Sequence, residues 1–356
     1  MDSRILADNI VKGNDCTLVD WFGFSIKVYD LIGSDDTFEA LHYVYDLLGL
    51  ERGVNSVPWE DKEYGLRCYR KRVEFGGIKI MYDACVNSQT GNQLDNADTV
   101  YVEMTGTGCR SFETYSNHKS FMKLFRKCVE DPEHFHCSRL DLAFDDWSGV
   151  LDLDTVSDYT LDCNVVTPFR SSEVTKAGLF SGLHRPQTVY YGSKSSDIRF
   201  RFYNKAAERN RDDVDHWVRC EAQLRDDRAF KAIETIVSFD DVSLVMLGIL
   251  NEYLRFVEPC ADSNKSRWAV AAWWHKFLEK VEKIKLLSKK TVEYNYLNVC
   301  NYVYQNCARA IKTIINIDGS DKLLAELKNA ADPEDVPKYR SIISEMLAFR
   351  RISEVV

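Results

Sequence analysis

The chain has 356 residues, 45% of them hydrophobic and 28% charged, which is enough to bury a sizeable core and rules out wholesale disorder. Its net charge of −9, from 46 basic and 55 acidic residues, argues against non-specific coating of nucleic acid but leaves room for a local basic site. The longest apolar run, Leu244 to Leu250, falls far short of the roughly 20 residues of a bilayer-spanning helix, and the first fifteen residues hold no signal-peptide core. The eleven cysteines are odd in number and form no CxxC pair, so free thiols in a reducing cytoplasm are expected rather than a disulfide framework or a zinc ribbon.

From Thr17 to about Leu224 the chain reads as strands: TLVDWFGFSIKVY, GGIKIMYD, DTVYVEMTG, SRLDLAFDD, TVYYG, DIRFRFYNK and HWVRCEAQLR, separated by turn clusters. Helical spacing interrupts the series at TFEALHYVYDLLGL and SFMKLFRKCVED. Gly106-Thr107-Gly108 lacks a Walker lysine and a third glycine, and predicts a turn or bulge after its strand. From Ala229 onward the stretches FKAIETIVSF, VSLVMLGILNEYLRFV, RWAVAAWWHKFLEKVEKIKLL, TVEYNYLNVCNYVYQNCARAIKTIINI and KLLAELKNA all read as helices. The polar segment Pro259 to Ser266 marks the expected boundary. The predicted fold class is α+β: a mixed or antiparallel sheet with flanking helices over residues 1–258, then a mainly helical region over 259–356.

Residues two apart on a strand share a face. That rule sets Leu140, Leu142 and Phe144 against Arg139, Asp141 and Asp145, and Phe200 and Phe202 against Arg199, Arg201 and Tyr203. It likewise sets Cys220, Ala222 and Leu224 against Arg219, Glu221, Gln223 and Arg225, and Val100, Val102 and Met104 against Tyr101 and Glu103. If these strands share a sheet, carboxylates, a tyrosine and several cations converge on one surface. Clustered acidic oxygens suit a hard divalent ion such as Mg²⁺ or Mn²⁺. A tyrosine flanked by arginine and lysine has its phenolate favoured by Coulomb attraction, which makes it a candidate nucleophile. Cross-strand ion pairs on a solvated face are the bland alternative. His134-Phe135-His136 has the shape of a metal motif but reads as a loop beside Pro132. Two basic stretches, Lys194 to Arg211 and Lys276 to Lys290, are candidates for phosphate contacts.

The order YVEMTGTGCRSFE, SRLDLAFDD, TVYYGSKSSDIRFRFYNKAAE, WVRCEAQLRD resembles the replication initiation factor family, which contains rolling-circle plasmid initiators of the staphylococcal type and relaxases of integrative conjugative elements. The resemblance runs from about Thr17 to Val257 and more loosely beyond. The family signature matches Arg201-Phe202-Tyr203-Asn204-Lys205-Ala206-Ala207-Glu208, with Phe202 as the mild departure. By that resemblance the nucleophile is Tyr203, not Tyr190 or Tyr191, with Arg201 and Lys205 stabilising charge. Glu103, Asp141 and Glu221 hold the divalent metal. The implied activity is site-specific nicking of single-stranded DNA through a 5′-phosphotyrosine link, followed by rejoining, in a bacterial cytoplasm. The implied partners are an origin recognised as duplex, a host helicase and, as an option, a second copy of the chain, with no membrane. Lys194, Arg199, Lys283, Lys285, Lys289 and Lys290 are the candidate DNA contacts. The competing readings are a hydrolytic nuclease using the same carboxylates, and an origin-binding protein without catalysis.

Overall fold

The structure, a computed structural model, describes residues 14–52, 57–67, 69–84, 99–116, 119–175, 187–284, 303 and 307–329. Its strands are β1 (Cys16–Ile26), β2 (Glu60–Lys62), β3 (Tyr69–Phe75), β4 (Ile78–Ala84), β5 (Val100–Met104), β6 (Phe135–Asp146), β7 (Val165–Val166), β8 (Ser172–Thr175), β9 (Thr188–Tyr191), β10 (Ile198–Asn204), β11 (Val218–Arg225) and β12 (Arg255–Phe256). Its helices are α1 (Val28–Ile32), α2 (Thr37–Leu48), α3 (Gly106–Tyr115), α4 (Phe121–Glu130), α5 (Leu153–Leu161), α6 (Lys205–Glu208), α7 (Asp226–Phe239), α8 (Val242–Tyr253), α9 (Ala272–Ile284), α10 (Ala308–Asp318) and α11 (Ser320–Asn329). The fold is α+β. Two compact units are formed, one from Met1–Ser25 with Phe125–Lys289, the other from Ile26–Leu124 with Lys290–Val356.

In the first unit the strands lie in the order β1-β6-β11-β10-β9-β8. The pairs β6–β11, β11–β10, β10–β9 and β9–β8 are all antiparallel. Period-two alternation sends Leu140, Leu142, Phe144, Phe200, Phe202, Cys220 and Ala222 to one face, where each is fully buried. Helices cover that face: α7 packs on β6 and β11, and α9 sets Phe277 edge-on to Phe144, centroids 5.2 Å apart, and Trp274 edge-on to Phe202 at 6.4 Å. Each such aromatic contributes about 1.5–3 kcal/mol by leaving water. With the helices on that side, the charged side chains of the same strands are left to the opposite face.

Helix α9 begins at Ala272 rather than at Arg267, where the apolar spacing starts. Val270 bridges Val257, the Ala271 amide donates to the Phe256 carbonyl, and Arg255 donates to the carbonyl of Ser266 at 3.0 Å. Lys265–Arg267 thus form a short 3-10 turn, and residues 269–271 run along β12 and the residues after it before the helix starts.

In the second unit β2-β3-β4-β5 form an antiparallel series. Helix α2 is capped at its start by Asp36, whose carboxylate accepts from the Phe38 amide at 2.7 Å, and ends on Gly49 at φ 63°. Gly106-Thr107-Gly108 opens helix α3 instead of forming the expected turn. Thr105 is its N-cap, and a Cβ on Gly108 would fall 2.4 Å from the Gly77 carbonyl, so only glycine lets this helix start lie against the β3–β4 hairpin. Among the described residues no helix is long and apolar enough to cross a membrane, and the described cysteines include no disulfide.

Candidate active site

The candidate site grows from β10 and its neighbours. Alternation puts Arg199, Arg201 and Tyr203 on the polar face of β10. Antiparallel register sets Arg201 opposite Glu221 and Tyr203 opposite Arg219 on β11. One strand further, Gln223 lies opposite Asp141 and Arg219 opposite Asp145 on β6. The strand stops at Asn204, whose side-chain oxygen accepts from the Ala207 amide at 2.9 Å and so turns the chain into α6. That turn brings Lys205 and Glu208 back beside Tyr203.

Tyr203 is 2% exposed. Its hydroxyl donates to Glu221 Oε2 at 3.2 Å and accepts from Lys205 Nζ at 3.1 Å. The Arg201 guanidinium lies over the ring, 3.6 Å from its centroid, and also sits 3.0 Å from Glu208 and 3.7 Å from Glu221. Lys205, itself buried, is paired with Glu208. Burial pushes the Tyr203 phenol well above its ordinary range; Glu221 adds to the rise, while Arg219 and Arg201 oppose it. This corrects the expectation that the flanking cations favour the phenolate: desolvation and one adjacent carboxylate outweigh them. Burial lowers Lys205, Arg219 adds to that effect, and Glu208 opposes it.

The three carboxylates expected to bind metal are placed differently. Asp141 is 1% exposed and accepts from Arg139 at 2.9 and 2.6 Å. Burial raises its carboxyl to about 7; the hydrogen bonds from Arg139 oppose the rise and the nearby Glu221 charge adds to it. A carboxyl raised by burial beside a second carboxylate is a donor set a hard divalent cation would relieve, so Asp141 with the neighbouring Glu221 fits that role. Glu103 lies on β5 in the second unit, held by Arg67 at 3.1 Å and Lys79 at 2.9 Å. Among the described residues no group of three or more His, Cys, Asp or Glu side chains stands in metal-holding geometry. The histidine triplet straddles a turn and the start of β6: His134, in the turn, pairs with Asp131 at 2.7 Å, and exposed His136, in the strand, approaches Asp226 at 3.8 Å.

Of the other candidates, Tyr191 faces the apolar side, bonded to Thr160, with burial raising its phenol. Tyr190 lies beneath the Arg199 guanidinium at 4.0 Å. Lys194 and Arg199 line a cavity of about 300 Å³ together with Arg201 and Glu221. Lys283 has no described side chain, and Lys285, Lys289 and Lys290 lie outside the described residues. Arg219, placed by alternation on the polar face but not named as a site residue from the sequence, lies opposite Tyr203 and bridges Asp145 at 2.6 Å and Asp20 at 2.5 Å, and Arg225 and Gln223 stand in the cavity wall. Only strand register, which the alternating pattern of a single strand does not carry, would have joined them to the tyrosine.

The model of the Replication initiation factor family matches residues 136–327, more than half of the chain and inclusive of every residue of the Tyr203 cluster. The model described as Rolling Circle replication initiation protein N-terminal domain matches residues 40–127. The chain is 26% identical over 311 residues to Putative DNA relaxase NicK of Bacillus subtilis (strain 168), covering 85% of this chain and 81% of that protein. The solved structure of a Rolling Circle Replication Initiator Protein from Geobacillus stearothermophilus superposes with a TM-score of 0.64 at 29% identity, covering 76% of this chain and 97% of the other. With its strands, their order of motifs and this length of match, the chain belongs to the replication initiation factor family.

Proposed function

We propose that the protein is a DNA nicking-closing enzyme that cuts one strand at an origin through Tyr203 and later reseals it. The observation that carries this reading is the Tyr203 hydroxyl, held between the Glu221 carboxylate and the Lys205 ammonium beneath the Arg201 guanidinium. In the forward step the phenolic oxygen forms a bond to phosphorus and the bond from phosphorus to the 3′-oxygen breaks. The phenolic proton leaves along its hydrogen bond to Glu221, and the departing 3′-oxygen takes up a proton to become a 3′-hydroxyl. Lys205 and Arg201 hold the charge that develops on the phenolic oxygen, in a site dry enough for that interaction to count. A phenol raised by burial favours deprotonation concerted with attack over a preformed phenolate. Mg²⁺ or Mn²⁺ held by Asp141 and Glu221 would supply Lewis-acid polarisation of the scissile phosphate.

The product keeps the phosphodiester bond energy in a phosphotyrosine, so rejoining needs no ATP. Extension from the freed 3′-hydroxyl requires the duplex ahead to be unwound, which makes a host helicase the expected partner. Duplex recognition of the origin is assigned to the C-terminal lysines Lys283, Lys285, Lys289 and Lys290 and to the Lys194 to Arg211 hairpin, which have the basic side chains for phosphate contacts. The test is incubation with supercoiled plasmid carrying the protein's own origin, with and without Mg²⁺. A relaxed product bearing covalently attached protein at the 5′ end supports the reading. A nick without an adduct replaces it with hydrolysis.

A further inference from the structure

The polar face does not end at Tyr203. Two residues along β10, about 7 Å away at strand rise, the cavity of about 300 Å³ opens between β6, β9, β10 and β11. Its size is at the lower edge of small-molecule sites. Its walls carry Arg139, Lys194, Arg199, Arg201 and Arg225, with Glu221 the sole acid among the lining residues, at the Tyr203 end. Arg139 is paired with Asp141 and Arg201 with Glu208 and Glu221, yet five cations against these acids leave the cavity wall with a positive excess that an entering anion would offset.

Two further observations point to a built anion site. The Nε atoms of Arg199, Arg201 and Arg225 are buried and lack a hydrogen-bond partner among the described residues. Buried donors left unmet destabilise, so a ligand that meets them returns that energy as affinity. The guanidiniums are also pre-oriented: Arg199 stacks on Tyr190 at 4.0 Å, Arg201 on Tyr203 at 3.6 Å and Arg139 on Trp21 at 4.1 Å. With its amide oxygen turned toward them, Gln223 accepts from Arg139 at 3.0 Å and from Arg225 at 3.0 Å. Planar forks held this way suit the paired oxygens of a phosphodiester, and a glutamine amide can exchange such bonds for those of a base edge.

We propose that this pocket is a nucleotide subsite, in which Arg199, Arg201 and Arg225 grip the phosphodiester adjoining the scissile one and Gln223 meets the neighbouring base. The proposal rests on the nicking reading, since it takes its ligand to be the same single strand. Its distance from Tyr203 corresponds to the spacing of neighbouring phosphates in an extended strand. The subsite would draw the strand taut past the tyrosine, so that occupancy, and not Tyr203 alone, fixes which phosphorus is attacked.

The test uses the full chain carrying Tyr203→Phe and single-stranded oligonucleotides spanning the nick, each with one phosphate replaced by a neutral methylphosphonate, with binding read by fluorescence anisotropy. One position beside the scissile phosphate should lose about tenfold in affinity. In Arg199→Met and Arg225→Met the unmodified strand should bind about tenfold more weakly, and that one position should lose its penalty while all others keep theirs. Arg225→Lys, which keeps charge but not the fork, should recover only part of the loss. Because the substitutions relieve like-charge crowding, both Met variants should melt no lower than the parent. Losses spread evenly over all positions, or melting well below the parent, would overturn the subsite. A positional signature without any covalent adduct from the unmodified enzyme would keep the subsite and remove the transesterase reading; an adduct with a flat methylphosphonate scan would do the reverse.

Discussion

Asp141→Asn should make the first unit more stable at alkaline pH while stopping its chemistry. In the folded chain Asp141 keeps its proton up to about pH 7, whereas an ordinary aspartate in the unfolded chain loses it near 3.8. The folded state therefore binds more protons than the unfolded state between those values, and stability falls as pH rises from about 4 to about 7, then levels off. The difference corresponds to about 4 kcal/mol at 1.36 kcal/mol per decade of acidity. Asparagine does not ionise, so the variant escapes the whole fall. It also loses one of the two charge-assisted bonds from Arg139, at 2.9 and 2.6 Å, which costs about 1.5–3 kcal/mol. The balance is a variant about 1–2 kcal/mol more stable than the parent at pH 8 in EDTA, and equal or less stable at pH 5, where the parent's carboxyl is protonated in the fold. The gap between the two proteins should shift by about 2–3 kcal/mol across that range. Urea unfolding followed by tryptophan emission reads it well, because Trp59 is the one tryptophan of the sequence outside the first unit. Millimolar Mg²⁺ should stabilise the parent and not the variant. A gap that stays constant between pH 5 and pH 8 would refute the argument, for it would mean that Asp141 is ionised in the fold throughout.

Tyr203→Phe should abolish nicking and the detergent-stable adduct while leaving strand binding within about threefold of the parent; if it still nicks and Tyr190→Phe does not, the nucleophile is misassigned. Lys205→Met should slow nicking by about 10²–10³-fold with little change in binding, since the ammonium acts on charge that appears only during attack; equal losses in both would make it a packing residue. Chelation by EDTA should stop cleavage, with Mg²⁺ or Mn²⁺ restoring it, and the paired His134→Ala/His136→Ala variant should respond like the parent. Replacing Lys283, Lys285, Lys289 and Lys290 together should flatten the dependence of log affinity for origin duplex on log salt by up to about 3.6, or 0.9 per lost contact; an unchanged slope would shift the duplex contact to the Lys194 to Arg211 hairpin.

Strands β6, β10 and β11 are legible in the sequence because a half-buried strand writes its two faces in alternate residues, as RLDLAFD and IRFRFYN do. What a strand cannot write is its register. That Arg201 faces Glu221 and Tyr203 faces Arg219 depends on how residues 204–218 turn back, and on Asn204 ending the strand one residue after the tyrosine. The direction of the Tyr203 shift is not legible for a related reason: charge signs are local and visible in the sequence, whereas burial is set by packing and here outweighs them. Gly106-Thr107-Gly108 reads as a turn because glycine disfavours helix; the close approach to Gly77 that requires glycine there is a contact thirty residues away. Arg267–Ala271 reads as helix by spacing, yet Ala269, Val270 and Ala271 spend their backbone on Glu258, Val257 and Phe256.

The buried, protonated phenol has a consequence for how the proposed reaction runs in both directions. A tyrosine with a depressed pKa would be a standing nucleophile, ready for any strand that diffused in, and an acidic chain with net charge −9 has little general attraction for DNA to discriminate with. If Tyr203 is the nucleophile, holding its phenol neutral would keep the site silent until a strand is seated and positive charge is supplied at the phosphate. In the proposed resealing step the phenolic oxygen would be the leaving group, and the same Lys205 and Arg201 would stabilise it as it departs. One arrangement of charge therefore lowers the barrier from both sides. The position of the equilibrium is left to whether a 3′-hydroxyl is present at the site, which is the condition under which a strand should be closed.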